Sequence, residues 1–267
     1  MLGVYKNLSN DDYHNDTTAI SRSGLWEFRK APAKYWNSHL NPDRPPKKIT
    51  PDMEFGSAFH TFVLEPHLFY KKYAVLPEGI DKRTNDGKAR FADFLIKSQG
   101  KTALKKEEMD KLILMKESVL NHPEASQLIV GGAVEHSIFW EDRHSGVLCK
   151  TRPDIWHDNM TVDLKTTSSA DERSFINSVA SYGYHLQSAM NREGIYQSGG
   201  NDITTHAFVC VEKEWPHLVA VYILDNNTLD FAHNMFKNTL QDFKKCKESN
   251  IWNGYETKEI TLPAWAL

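Results

Sequence analysis

Residues Cys149–Thr167 read CKTRPDIWHDNMTVDLKTT, and the order of charges in this stretch is the most informative feature of the chain. Asp154 closes an apolar-rich run, VLCKTRPD. The turn-forming His157-Asp158-Asn159 follows, and then a short strand-like run from Thr161 to Lys165. Side chains alternate along a strand with period two. Asp163 and Lys165 therefore share one face, and Val162 and Leu164 the other. If the two runs lie side by side, Asp154 meets the polar face. Two converging carboxylates repel unless a cation sits between them, and a hard divalent ion such as Mg2+ suits that position. A lysine beside the ion then orients a water or stabilises charge on a phosphate. The competing reading is an exposed Asp163–Lys165 pair on a solvent-facing strand, since a three-residue pattern is common by chance.

Other stretches sharpen the comparison. Gly56–His60 (GSAFH), Leu64-Glu65-Pro66, Glu135–Trp140 (EHSIFW), Cys149–Asp154, Val162–Thr167 and Tyr184–Gln187 (YHLQ) follow one another in order. Together they resemble the RecE (exonuclease VIII) nuclease domain, a RecB-like branch of the PD-(D/E)xK superfamily. The resemblance runs from about Tyr13 to about Cys246. It implies an α/β fold with a PD-(D/E)xK core, a central mixed sheet flanked by helices. It also implies an ATP-independent exonuclease dependent on Mg2+, with Mn2+ as a substitute. Such an enzyme degrades one strand of linear double-stranded DNA from its 5′ end and leaves 3′ overhangs for recombination by strand annealing. The implied partners are double-stranded DNA ends, a RecT-like single-strand annealing protein and further copies of the chain in a ring.

By the same resemblance Asp154 and Asp163 hold the metal, aided by the Leu164 carbonyl, by His60 at the end of a G-x-x-x-H helix, and by Glu135. Glu135 reads equally well as a surface carboxylate near a strand end. Lys165 positions the attacking water, and Gln187, 22 residues beyond Lys165, orients the site. The family pattern Q-x-x-x-Y is not followed, because the fourth residue after Gln187 is Asn191. Either Tyr184 or Tyr196 replaces that tyrosine, or its role is absent. Two alternatives stay open: a structure-specific endonuclease on the same site, and a catalytically inactive DNA-binding module.

The length of 267 residues fits one large domain or two small ones. We read a single domain over 1–267: an N-terminal helical and loop region (1–52), a nuclease core (53–248) and a tail (249–267). The net charge of −3 argues against a uniformly basic nucleic-acid binder. The charge is unevenly placed, however. Residues 1–106 carry 18 Lys and Arg against 12 Asp and Glu, and the remainder carries 14 against 23. A basic half beside an acidic half suits a protein that grips phosphates and holds metal. Cys149, Cys210 and Cys246 are widely separated, so no zinc knuckle or iron–sulfur cluster is indicated. Sparse cysteines, the absence of an apolar leader and the lack of any apolar run near the ~18 residues that span a bilayer point to a cytoplasmic protein without membrane contact.

In chain order, Ile20–Phe28 starts a helix capped by Ser21 or Ser23, with Leu25, Trp26, Phe28 and Tyr35 inward. Arg22 at its start is a candidate DNA contact, and simple capping is the alternative use of this terminus. Met53–Leu64 reads as a buried helix. Gly79–Lys106 reads as a basic loop in which Lys82, Arg83, Lys88 and Arg90 either reach over DNA or are merely solvated. Glu107–Asn121 is an amphipathic helix built on Met109, Leu112, Ile113, Met115, Val119 and Leu120. Strands are predicted over Val134–Glu141, Gly146–Asp154 and Thr161–Thr166. A helix is predicted over Asp171–Gln197, a strand pair over 204–212 and 217–224, and a closing helix over Leu229–Glu248 with Phe231, Met235, Phe236, Leu240 and Phe243 inward. The tail aromatics Trp252, Tyr255 and Trp265 suggest docking onto this chain or a neighbour.

Overall fold

The structure, a computed structural model, describes residues 1–46, 48–81 and 83–263; Lys82 and Trp265 lie outside them. Strand β1 (Gly3–Tyr5) and helix α1 (Asn10–Asn15) lead into α2 (Arg22–Lys30) and α3 (Pro32–Tyr35), which runs on into a π-helical turn at Trp36–Leu40. Next come α4 (Pro51–Leu64), α5 (Pro66–Lys72), β2 (Tyr73–Val75), α6 (Asn85–Lys97), β3 (Thr102–Leu104), α7 (Lys106–Asn121) and α8 (Pro123–Leu128). The central strands are β4 (Ala133–Val134), β5 (Ser137–Glu141), β6 (Leu148–Thr151), β7 (Ile155–Trp156) and β8 (Met160–Thr167). Helices α9 (Glu172–Tyr182) and α10 (Tyr184–Gln197), strands β9 (Thr205–Glu212) and β10 (Val219–Ile223), and α11 (Asn226–Ser249) complete the order.

The fold is mixed α/β with a central sheet flanked by helices. Five strands lie in the order β10-β9-β8-β7-β4, parallel only between β8 and β9. The β8 alternation is the one the sequence predicts. Val162 and Leu164 are fully buried against Ala58 and Phe59 of α4 and Leu112 and Met115 of α7. A second, antiparallel sheet has the order β1-β5-β6. It packs through Ile138, Trp140 and Cys149 onto Leu186 and Met190 of α10 and Phe236 and Leu240 of α11.

Strands β4–β5 and β6–β7 form one long hairpin, both of whose arms break at the same level. The arms predicted as continuous over Val134–Glu141 and Gly146–Asp154 are interrupted where Glu135 turns to φ 53° and where Arg152-Pro153 intervenes. Proline has no N–H for the ladder, and a left-handed residue cannot continue it. Below the break the hairpin joins the five-stranded sheet; above it, the three-stranded one. The Glu135 N–H donates to the Asp154 carbonyl at 3.1 Å across the break.

Four further expectations are corrected. Gly79–Lys106 is not a loop throughout: Thr84 caps α6, accepting from the Gly87 N–H at 3.0 Å, and Phe94 buries its inner face. The helix predicted over 171–197 is two helices, split at Gly183. Phe231 on α11 points outward, 59% exposed, while Met235, Phe236, Leu240 and Phe243 are inside. On α7, Ile113 and Leu120 are exposed and the other four predicted residues are buried. The Trp252 side chain packs on Phe28, Tyr35 and Phe243 of its own chain, and Tyr255 is exposed. Among the described residues, no helix is long and apolar enough to cross a membrane.

Candidate active site

The break in the long hairpin brings the chemistry together. Glu135 and Asp154 stand on its two arms, and α4 delivers His60 from its last turns. One ligand atom from each of His60, Glu135 and Asp154 lies within 4.8 Å of the others, so the trio can hold a divalent cation. His60 Nδ1 is 3.4 Å from Asp154 Oδ2. That same oxygen accepts the Leu164 N–H at 2.7 Å, which fixes the carboxylate against β8.

Electrostatics mark the two carboxylates of the trio as crowded. Burial and then the neighbouring Asp154 push the Glu135 carboxyl up to about 8. Asp154 is also raised, by burial and by Asp163, although His60, Lys165 and the Leu164 N–H oppose the rise. Each carboxylate makes ionisation of its neighbour costlier, and a cation between them would remove that cost.

Asp163, almost completely buried, has a different set of partners. Burial works against its charge, but Lys165 and His206 outweigh burial and hold its pKa low. Its Oδ2 forms an ion pair with Lys165 Nζ, and its Oδ1 accepts Gln187 Nε2 at 2.6 Å. Burial also opposes the Lys165 charge, yet Asp163 and Asp154 keep that pKa above its usual range. The ammonium sits 4.6 Å over the Tyr184 ring. The compact cluster that could hold a cation is therefore His60, Glu135 and Asp154. Asp163 stands beside this cluster, close enough for its charge to act on Asp154, with one oxygen paired to Lys165 and the other accepting from Gln187. Gln187 Oε1 is buried without a protein partner.

Tyr184, one of the two tyrosines considered as a substitute, is at the site, whereas Tyr196 is exposed. Asn191, at the vacant tyrosine position, bonds Thr151 Oγ1 in the core. Ser21 does cap α2, accepting the Gly24 N–H at 3.3 Å. Arg22 extends to the site all the same: its charge faces Asp163 and Tyr184, and Nη1 donates to the Tyr182 carbonyl at 3.0 Å.

Among the described residues, the other predicted DNA contacts, Arg83, Lys88 and Arg90, take no part in these contacts. Arg83 forks onto Asp81, Arg90 donates to the Glu78 and Gly79 carbonyls, and Lys88 is exposed on α6. His206 on β9 escaped the sequence reading. It bonds Thr161 Oγ1 through Nδ1 at 2.7 Å, faces Asp163 and is almost fully buried. Only the parallel register Thr161↔His206 reveals it, and that register is not written in either strand alone.

Residues 21–260 match a family described as a PDDEXK-like domain of unknown function (DUF3799). The chain belongs to this family. The PDDEXK-like assignment agrees with the superfamily signature at Pro153-Asp154 and Asp163-Leu164-Lys165. Among solved structures, the chain is similar to a candidate exonuclease from Eubacterium rectale. Identity is 16%, 96% of each chain is covered and the TM-score is 0.60, a likeness of fold. A second similar structure, SSO0001, is also 16% identical, over 69% of this chain and 84% of that one, with a TM-score of 0.28. No curated protein matches the sequence.

Proposed function

We propose that the chain hydrolyses DNA phosphodiesters with Mg2+, for which Mn2+ can substitute, held by His60, Glu135 and Asp154. Asp163 and the Leu164 carbonyl are the adjoining donors. The observation that carries this reading is the meeting of the half-buried Glu135, the buried Asp154 and the His60 imidazole beside a half-buried, charged lysine. The donor set suits a small hard cation. When bound, the cation supplies Lewis acidity toward the phosphodiester and the attacking water. Lys165 stabilises the negative charge that builds on the phosphate oxygens and orients the water. Gln187 holds Asp163, and through it the direction of Lys165. Arg22, already facing the site, is a donor for a neighbouring phosphate. Arg83, Lys88 and Arg90 form a second, outlying set of candidate DNA contacts.

The finer reading is an ATP-independent 5′→3′ exonuclease on linear double-stranded DNA, working as a homo-oligomeric ring with a RecT-like annealing protein. It is supported by the ordered RecE-like motifs and by the shared fold of the candidate exonuclease from Eubacterium rectale. The test is release of label from linear duplex carrying it at the 5′ or the 3′ end, with Mg2+ and no ATP. Expected is prompt loss of the 5′ label, with kcat reduced about 10²–10³-fold by Lys165→Ala. Loss of the 3′ label alone would reverse the polarity. Cutting of closed circular DNA would make the enzyme an endonuclease, and binding without turnover would make it a DNA-binding module. A ring requires a solution mass several-fold above the 30.6 kDa of one chain.

A further inference from the structure

A file of aromatic rings leads from the core to the surface beside Lys165. Phe208 of β9 is fully buried and packs on Phe175 of α9, with ring centroids 5.2 Å apart. Both rings contact Tyr184, at 6.0 and 6.3 Å. Tyr184 carries Lys165 Nζ over its face and stacks on Tyr182, with centroids 5.7 Å apart and planes inclined at 28°. Tyr182 ends the file and is 58% exposed.

The backbone that carries this outermost ring is tied down, and the ring itself rests on Tyr184. The Tyr182 carbonyl accepts from Arg22, its ring lies on Tyr184, and the next residue, Gly183, is seated against the Trp26 indole so closely that a Cβ there would overlap it. An exposed tyrosine normally keeps its side-chain freedom, and a ring fixed in advance does not have to give it up on binding. A flat, rigid, half-exposed aromatic face one ring away from the lysine that faces the phosphate is complementary to a nucleobase.

We infer that Tyr182 is a stacking platform for the base that flanks the scissile phosphodiester, holding it out of the duplex while the backbone lies at Lys165. The inference rests on the nuclease reading above. It adds a residue that selects an unpaired or unpairing base, a task neither the metal ligands nor Lys165 can perform.

The experiment uses the full chain and a linear duplex with 2-aminopurine at its terminal nucleotides. Ca2+ replaces Mg2+ to stop turnover. Fluorescence reports stacking, anisotropy reports binding, and label release in Mg2+ is followed separately. Wild type is expected to quench the terminal 2-aminopurine. Tyr182→Ala should lose the quenching and bind the end about 10-fold more weakly, whereas Tyr182→Phe should behave as wild type. If Tyr182→Ala binds and quenches as wild type does, the platform is overturned while the nuclease reading stands. Weakened binding in both Tyr182→Ala and Tyr182→Phe, with quenching unchanged, assigns the hydroxyl to a polar contact and also overturns it. A wild-type protein that neither binds the duplex nor releases label overturns the nuclease reading and the platform together.

Discussion

His206 shows how one buried side chain on this sheet sets a pH dependence. Burial pulls its imidazole from 6.5 down to about 4, against the pull of Asp163 and with Lys165 adding to the fall. The folded chain therefore keeps His206 neutral where the unfolded chain has already protonated it. The stability it contributes is complete above pH 6.5 and is lost as pH falls from about 6.5 to about 4. The loss attributable to this residue is on the order of 3 kcal/mol. Urea unfolding of wild type between pH 8 and pH 4 should show the slope, and His206→Asn, which keeps a partner for Thr161, should flatten it. An unchanged slope would mean that His206 is protonated, or exposed, in the folded chain. At this scale the sequence was legible for residues with local signatures. The alternation in β8 separated Asp163 and Lys165 from Val162 and Leu164, while His60 was reached only through the family resemblance of its G-x-x-x-H helix. The sequence did not show that Gln187 donates to Asp163, because that contact depends on where α10 lies.

At the scale of elements, the turn between α9 and α10 decides whether the site is assembled. Gly183 sits at φ 68°, and both adjoining helices are aligned by it. An L-residue in that conformation carries a backbone penalty, and a side chain there would also strike Trp26. Gly183→Ala is expected to destabilise the chain by about 2–4 kcal/mol. Urea unfolding checks the stability. Turnover should fall as well, since Tyr184 and Gln187 both follow the turn. Apolar periodicity runs through Asp171–Gln197 without revealing the break, so a single helix was the natural reading. The same failure occurs in the long hairpin: composition marked both arms as strands, but the breaks at Glu135 and Pro153 arise from how two sheets meet. The basic segment after Gly79 was misjudged for another reason, since its charges obscured a capped helix anchored by Phe94.

For the whole molecule, the three proposed metal ligands come from α4, the β4–β5 break and the β6–β7 break, segments remote in sequence. An ion held by all three ties them together in the folded state only. Divalent metal should therefore stabilise the chain, by about 2.7 kcal/mol at 100 times its dissociation constant. Thermal unfolding with Mg2+ or Mn2+ against EDTA measures this, and His60→Ala should remove most of the gain; equal melting temperatures with and without metal would count against the trio. The architecture was legible in outline, as a mixed sheet between helices, because the alternation in β8, the apolar runs of β9 and β10 and the apolar faces of α7 and α11 are local patterns. The division into two sheets was not, since it depends on tertiary register. That division also bears on ion preference. Mg2+ takes oxygen donors at about 2.0–2.1 Å and Ca2+ at about 2.3–2.6 Å. Glu135 and Asp154 stand outside the regular ladders, at the joint between two sheets, so their separation can be retuned by a few tenths of an ångström without disturbing a paired strand. The spacing of these two carboxylates, and with it the fit to one ionic radius or another, is thus set apart from the packing of the core strands.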